Sequence, residues 1–123
     1  MRVSLTKSFE IDCAHHLPCF AEGHKCRNIH GHTMRVEVVL EGNVLQGRHY
    51  LVDFGDIKKA IEPVREQLDH KLLNDIEGLE VPTVENMCAW IWRKLQPTLP
   101  HLAAIRIYET PQNMCEYRPK SNL

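Results

Sequence analysis

The stretch Val3-Ser4-Leu5-Thr6-Lys7-Ser8-Phe9-Glu10-Ile11 sets Val3, Leu5, Phe9 and Ile11 at odd positions, which is one face of an extended strand. His15 keeps that parity. Further on, Met34, Val36, Val38 and Leu40 repeat the pattern at even positions and end near Gly42. Between the two, residues 13–31 read as a long loop rich in His, Cys and Gly, and long loops in compact domains tend to carry function. A short third strand is expected at 50–53, after a turn at Gly47. A fourth is expected at 104–110, with Ile105 and Ile107 on one face.

Two helices are expected between the third and fourth strands. The first follows Asp53 or Asp56 as a cap and places Ile57, Ala60, Ile61, Val64 and Leu68 at steps of three and four, a stripe suited to lying on a sheet. Pro63 removes one backbone donor inside it, so a kink is expected there. The second begins at Pro82 and Thr83, runs Val84, Met87, Cys88, Ile91 and Leu95 along one face, and stops at Pro97. A closing strand or hairpin follows, and the residues after Arg118 read as a loose tail. The class is α+β with antiparallel pairing, because strand and helix do not alternate repeatedly.

At 123 residues the chain is expected to form a single domain, 1–123. About two-thirds of the unfolded surface is buried at this size, which leaves sheet edges open to cover by another subunit. Fifteen Lys plus Arg stand against 16 Asp plus Glu with no basic run, so nucleic acid is not an expected partner. No window reads as a signal peptide or a bilayer span, and the expected location is the cytoplasm, with no membrane partner. Five cysteines (Cys13, Cys19, Cys26, Cys88, Cys115) with no CxxC pair fit reduced thiols.

His30-Gly31-His32 stands at the start of the second strand, where an i, i+2 pair points both imidazoles to one face. If the first two strands form an antiparallel hairpin, His15 comes to the same patch. Three neutral nitrogen ligands with a vacant fourth position suit a catalytic zinc, whereas a structural zinc is closed by four protein ligands. Cys26, four residues before His30, is open to either role, fourth ligand or catalyst. His16, His24, His49 and His101 are expected to be solvated or locally satisfied, although His16 would compete for the metal in a register shifted by one. Glu109 shares the parity of Ile105 and Ile107, so its carboxylate lies on an otherwise apolar face.

Phe9-Glu10-Ile11-Asp12-Cys13-Ala14-His15, Glu22-Gly23-His24-Lys25-Cys26, His30-Gly31-His32, Val52-Asp53-Phe54, Leu68-Asp69-His70, Leu73-Asn74, Pro82-Thr83-Val84-Glu85-Asn86 and Glu109-Thr110 run in order through nearly the whole chain. Together they resemble the 6-pyruvoyltetrahydropterin synthase family. Within it, the Cys-x3-His-Gly-His spacing resembles the bacterial members that form 6-carboxy-5,6,7,8-tetrahydropterin.

The resemblance implies the tunnelling fold, a four-stranded antiparallel sheet with two helices on one face, assembled as a homohexamer from two trimers. It implies Zn2+ held by His15, His30 and His32, Cys26 as general base, and Asp69 with His70 as a proton relay. Glu109 would anchor the pterin ring and share in proton transfer, and Lys25, Arg27 and Thr83 would be further substrate contacts. The implied substrate is 7,8-dihydroneopterin triphosphate, converted to 6-carboxy-5,6,7,8-tetrahydropterin with release of acetaldehyde and triphosphate, in queuosine biosynthesis. Two alternatives stand beside it: triphosphate elimination to the pyruvoyl product, and a zinc-stabilised binding module with no turnover.

Overall fold

The computed structural model describes residues 1–119. Four strands form one antiparallel sheet in the order β1-β2-β3-β4: β1 (Arg2–His15), β2 (His30–Asn43), β3 (Leu102–Thr110) and β4 (Asn113–Tyr117). Helices α1 (Phe54–Leu68) and α2 (Val84–Leu95) lie between β2 and β3 in sequence. Both pack on one sheet face, α1 against β1 and α2 against β3 and β4. Their apolar stripes meet the face formed by Ile11, Met34, Val36, Val38, Ile105 and Ile107, all fully buried. The α+β expectation is met.

The strands run further than polarity alternation indicates. The β1–β2 ladder continues through Cys13↔His32, Ala14↔Gly31 and His15↔His30, so the loop expected at 13–31 shrinks to residues 16–29. Apolar character ends before the hydrogen bonding does.

Residues 50–53 form no strand, contrary to expectation; they bend, with Leu51 buried, and Asp53 caps α1 by accepting from the Gly55 N–H (2.7 Å). In their place β4 closes the sheet by a tight return after Thr110. The helix α1 runs through Pro63 as one helix. Pro63 is exposed, so the carbonyl it leaves without a donor is on the solvent side, where water can satisfy it. Of the loose tail expected after Arg118, residues 120–123 lie outside the described residues.

The opposite sheet face carries a chain of ion pairs: Arg2–Glu41 (3.9 Å), Glu41–Arg118 (3.0 Å), Arg118–Glu116 (3.5 Å), Glu116–Arg106 (2.7 Å), Arg106–Glu37 (3.6 Å) and Glu37–Arg35 (3.2 Å). Among the described residues, no helix is long and apolar enough to cross a membrane.

Candidate metal centre and its surroundings

The last rungs of the β1–β2 ladder build the site. His15 and His30 are direct cross-strand partners, and His32 faces Cys13, so parity sends all three imidazoles to the helix-covered face. Their ring centroids are 4.6, 4.9 and 5.2 Å apart, and one ligand nitrogen from each lies within 4.8 Å of the others.

Backbone carbonyls decide which nitrogens are available. His15 Nδ1–H donates to Pro82 O (2.9 Å) and His30 Nδ1–H to Asn28 O (2.7 Å), since a carbonyl can only accept. Each ring therefore keeps Nε2 bare. The Nε2 atoms of His15 and His32 are buried with no hydrogen-bond partner. Two unpartnered buried ring nitrogens beside a third imidazole fit a divalent cation held by nitrogen.

Burial also pushes the pKa of His15 down, and neighbouring His30 and His32 push the same way against the Pro82 bond, which favours the neutral ligand form. Among the described residues, His15 is the one buried polar side chain. The alternative register fails, because His16 is outside the cluster and its backbone is clamped on both sides by Asn74: His16 N–H to Oδ1 (3.0 Å) and Nδ2 to His16 O (2.8 Å).

Cys26 sits in a 3-10 turn, Lys25–Arg27, capped by His24, whose Nδ1 accepts from the Cys26 N–H (3.1 Å) and whose ring stacks on Phe20 at 4.4 Å. The Leu17 N–H donates to Cys26 O (2.8 Å), tying the turn to the chain just past His15. The sulfur is half-buried and outside the cluster of ligand atoms. Among the described residues, that cluster has no fourth protein ligand. Arg27 Nη1 donates to Pro18 O (2.9 Å) and Phe20 O (2.7 Å), closing the loop, and Lys25 is exposed. All five cysteines are free. Burial, with Asp12, Asp69 and Glu109 adding to it, pushes the Cys13 thiol up to about 12, so Cys13 is neutral beneath the site.

Asp69 caps the C-terminus of α1, and neighbours in sequence seldom face each other. Here they do, because His70 has a left-handed backbone (φ 59°), and its Nδ1 lies 3.0 Å from Asp69 Oδ2. The other oxygen, Oδ1, accepts from the Asp12 N–H (2.9 Å), while Arg65 approaches Oδ2 at 3.4 Å. The Asp12 hydrogen bond, then His70 and Arg65, hold the Asp69 carboxyl below the usual range. His70 N–H donates to Asp12 O (2.6 Å) and Ala14 N–H to Lys71 O (3.0 Å), so this segment lies along the outer edge of β1. The His70 ring is largely exposed.

Glu109 is half-buried, with Oε1 3.9 Å from His32 Nε2, as its parity on β3 requires. Thr83 caps α2, its Oγ1 accepting from the Asn86 N–H (3.1 Å). The structure thus brings His15, His30, His32 and Glu109 together and pairs Asp69 with His70. The residues that sequence reading missed are Asn74, Pro82 and Asn86, whose contribution is made through backbone groups. Asn74 and the 82–86 segment did stand out as blocks, with no role attached beyond Thr83. An apolar hollow of about 580 Å³ around Met1, Leu5, Tyr50 and Phe54 lies at the other end of β1 from the histidines.

Sheet, helix placement and inward imidazoles are together those of a tunnelling-fold enzyme. The family profile described as 6-pyruvoyl tetrahydropterin synthase matches residues 4–120. The 6-carboxy-5,6,7,8-tetrahydropterin synthase of Synechocystis sp. is 38% identical over 117 residues, covering 90% of this chain and 89% of that protein. The enzyme of the same name from Bacillus subtilis is 34% identical, covering 94% and 85%. The solved 6-pyruvoyl tetrahydropterin synthase of Caenorhabditis elegans superposes with a TM-score of 0.88 at 26% identity, over 98% of this chain and 97% of that one. The chain belongs to the 6-pyruvoyl tetrahydropterin synthase family, and it is an enzyme.

Proposed function

We propose that this protein is a zinc-dependent carbon–carbon lyase that converts 7,8-dihydroneopterin triphosphate and one water to 6-carboxy-5,6,7,8-tetrahydropterin, releasing acetaldehyde and triphosphate, within queuosine biosynthesis. The observation that carries this reading is the trio of imidazoles with converging ring nitrogens, two of them buried and unpartnered, in a chain whose relatives include 6-carboxy-5,6,7,8-tetrahydropterin synthases. His15, His30 and His32 hold Zn2+. Held there, Zn2+ would supply the Lewis acidity that makes the side-chain carbon next to the substrate hydroxyls more acidic.

The protein's own groups do the rest. Cys26 takes the proton from that carbon, and being outside the ligand cluster it keeps its sulfur for the purpose. Asp69 fixes His70 through Nδ1, leaving the exposed Nε2 to exchange protons with the site and solvent. Glu109 accepts two parallel N–H groups from the guanine-like edge of the pterin, orienting it beside the histidines and sharing in proton transfer. Lys25 meets the triphosphate; Arg27 joins it with what its loop-closing bonds leave free. The Thr83 hydroxyl, which accepts from Asn86, keeps its hydrogen to donate to substrate.

The enzyme works in the cytoplasm as a homohexamer of two trimers. Support comes from the strand order, which among the described residues gives β1 and β4 one strand neighbour each and, outside the end of β1 that residues 70–72 cover, leaves two sheet edges for pairing between copies. The decisive experiment is to incubate purified protein with 7,8-dihydroneopterin triphosphate and assay both triphosphate and acetaldehyde. Both in equal amounts support the reading. Triphosphate without acetaldehyde replaces it with the pyruvoyl-forming reaction, and neither product rejects both.

A further inference from the structure

We infer that Asn74 and Asn86 are positioning residues for His15: they hold the Pro82 carbonyl and the end of β1 in the one arrangement that keeps His15 Nδ1 protonated and Nε2 bare. The inference deepens the metal-dependent reading above and rests on it for the consequence, though not for the geometry.

The geometry begins at Val81. Its carbonyl accepts from the Thr83 N–H (3.0 Å), an i to i+2 turn centred on Pro82, whose ring restricts φ to values that such a turn uses. The peptide between Pro82 and Thr83 is thereby oriented: its N–H points back to Val81 O, and its C=O points away, to His15 Nδ1 at 2.9 Å. Asn86 secures the same turn twice. Nδ2 donates to Val81 O (2.8 Å), and its backbone N–H is capped by Thr83 Oγ1 (3.1 Å), so the first turn of α2 and the tight turn before it are one unit.

Asn74 secures the other side. Its half-buried amide grips both backbone groups of His16, next to His15, and Nδ2 also reaches Glu80 O (3.3 Å), one residue before Val81. One side chain therefore spans the two segments whose separation sets the His15–Pro82 bond. Both asparagines act through backbone groups, so neither needs to touch metal or substrate. A donor must reach a carbonyl at both places, which explains an amide where a carboxylate would be repelled.

The test uses the isosteric variants Asn74→Asp and Asn86→Asp, which keep shape and remove the donor; an acidic group at position 86, in the first turn of α2, also favours the helix. In metal-free wild-type protein, long-range proton–nitrogen correlation spectra should show His15 as the Nδ1–H tautomer, and each variant should convert it to a mixture. An unchanged tautomer in either variant overturns the inference. Titration with Zn2+ alone should then show affinity weakened by more than about three-fold in each variant, towards the ~10-fold lower end seen when a ligand's direct partner is lost; a smaller change in either overturns it. If Asn74→Asp does not fold, Asn86→Asp decides by the same two measurements. If the wild type binds no Zn2+, the metal-dependent function falls, while the tautomer measurement still decides the role of the two asparagines.

Discussion

Replacing Cys26 by alanine separates a sulfur that performs chemistry from one that holds metal. Both backbone groups of Cys26 are already engaged, the N–H with His24 Nδ1 and the carbonyl with Leu17 N–H, and the substitution leaves both bonds in place. The side chain is half-buried and outside the histidine cluster, so the stability change should stay within about 1 kcal/mol. Removing a general base costs roughly 10²- to 10⁴-fold in rate. At about 1.36 kcal/mol per decade, that raises the barrier by roughly 3–5 kcal/mol. Acetaldehyde release, followed by coupling to an NADH-dependent aldehyde reduction, should fall by that factor while metal analysis finds one Zn2+ per chain in both proteins. Loss of zinc from Cys26→Ala, or a rate within ten-fold of wild type, refutes the reasoning, the first by making the sulfur a ligand and the second by making it a bystander.

Three further outcomes follow from the same geometry. Glu109→Gln keeps one acceptor and loses the charge, so kcat/KM should fall about 10- to 100-fold with zinc content unchanged, as expected for a hydrogen bond to a charged group worth ~1.5–3 kcal/mol; an unaffected kcat/KM removes Glu109 from substrate binding. Chelation should leave the far-UV circular dichroism intact, because the apolar core of sheet and helices does not include the three histidines; collapse of the signal on adding EDTA would make the ion structural. Glu116, held below the ordinary carboxylate range chiefly by its 2.7 Å bond to Arg106, contributes stability above the usual glutamate value of about 4.3 and loses it as pH falls through its lowered folded value. Urea unfolding at pH 6 should find Glu116→Gln less stable than wild type, with the gap closing at pH 2–3; a gap that stays constant contradicts the linkage.

The histidine site was legible because it obeys the simplest rule in a strand: residues of like parity share a face. His30 and His32 follow it directly, and His15 joins them through the parity of Ile11 and the hairpin pairing. Glu109 was legible for the same reason on β3. The proximity of Asp69 and His70 was not, because it depends on a left-handed backbone at a histidine, which no local pattern announces. Residues 50–53 misled because Leu51 and Val52 supply apolar character to a segment with no strand neighbour. The five residues of β4, with Met114 and Glu116 exposed, are too few and too mixed to alternate visibly. Asn74 and Asn86 stood in recognisable blocks without a readable role, since an amide that bonds to main-chain atoms leaves no periodic trace.

Direct opposition of His15 and His30 ties the proposed metal site to strand alignment. A slip of one residue between β1 and β2 would turn one strand's imidazoles to the wrong side, and a slip of two would leave His15 opposite His32 or beyond the ladder's end. The native parity is what gathers all three nitrogens, and an ion held by them would favour it over any pairing shifted by one residue.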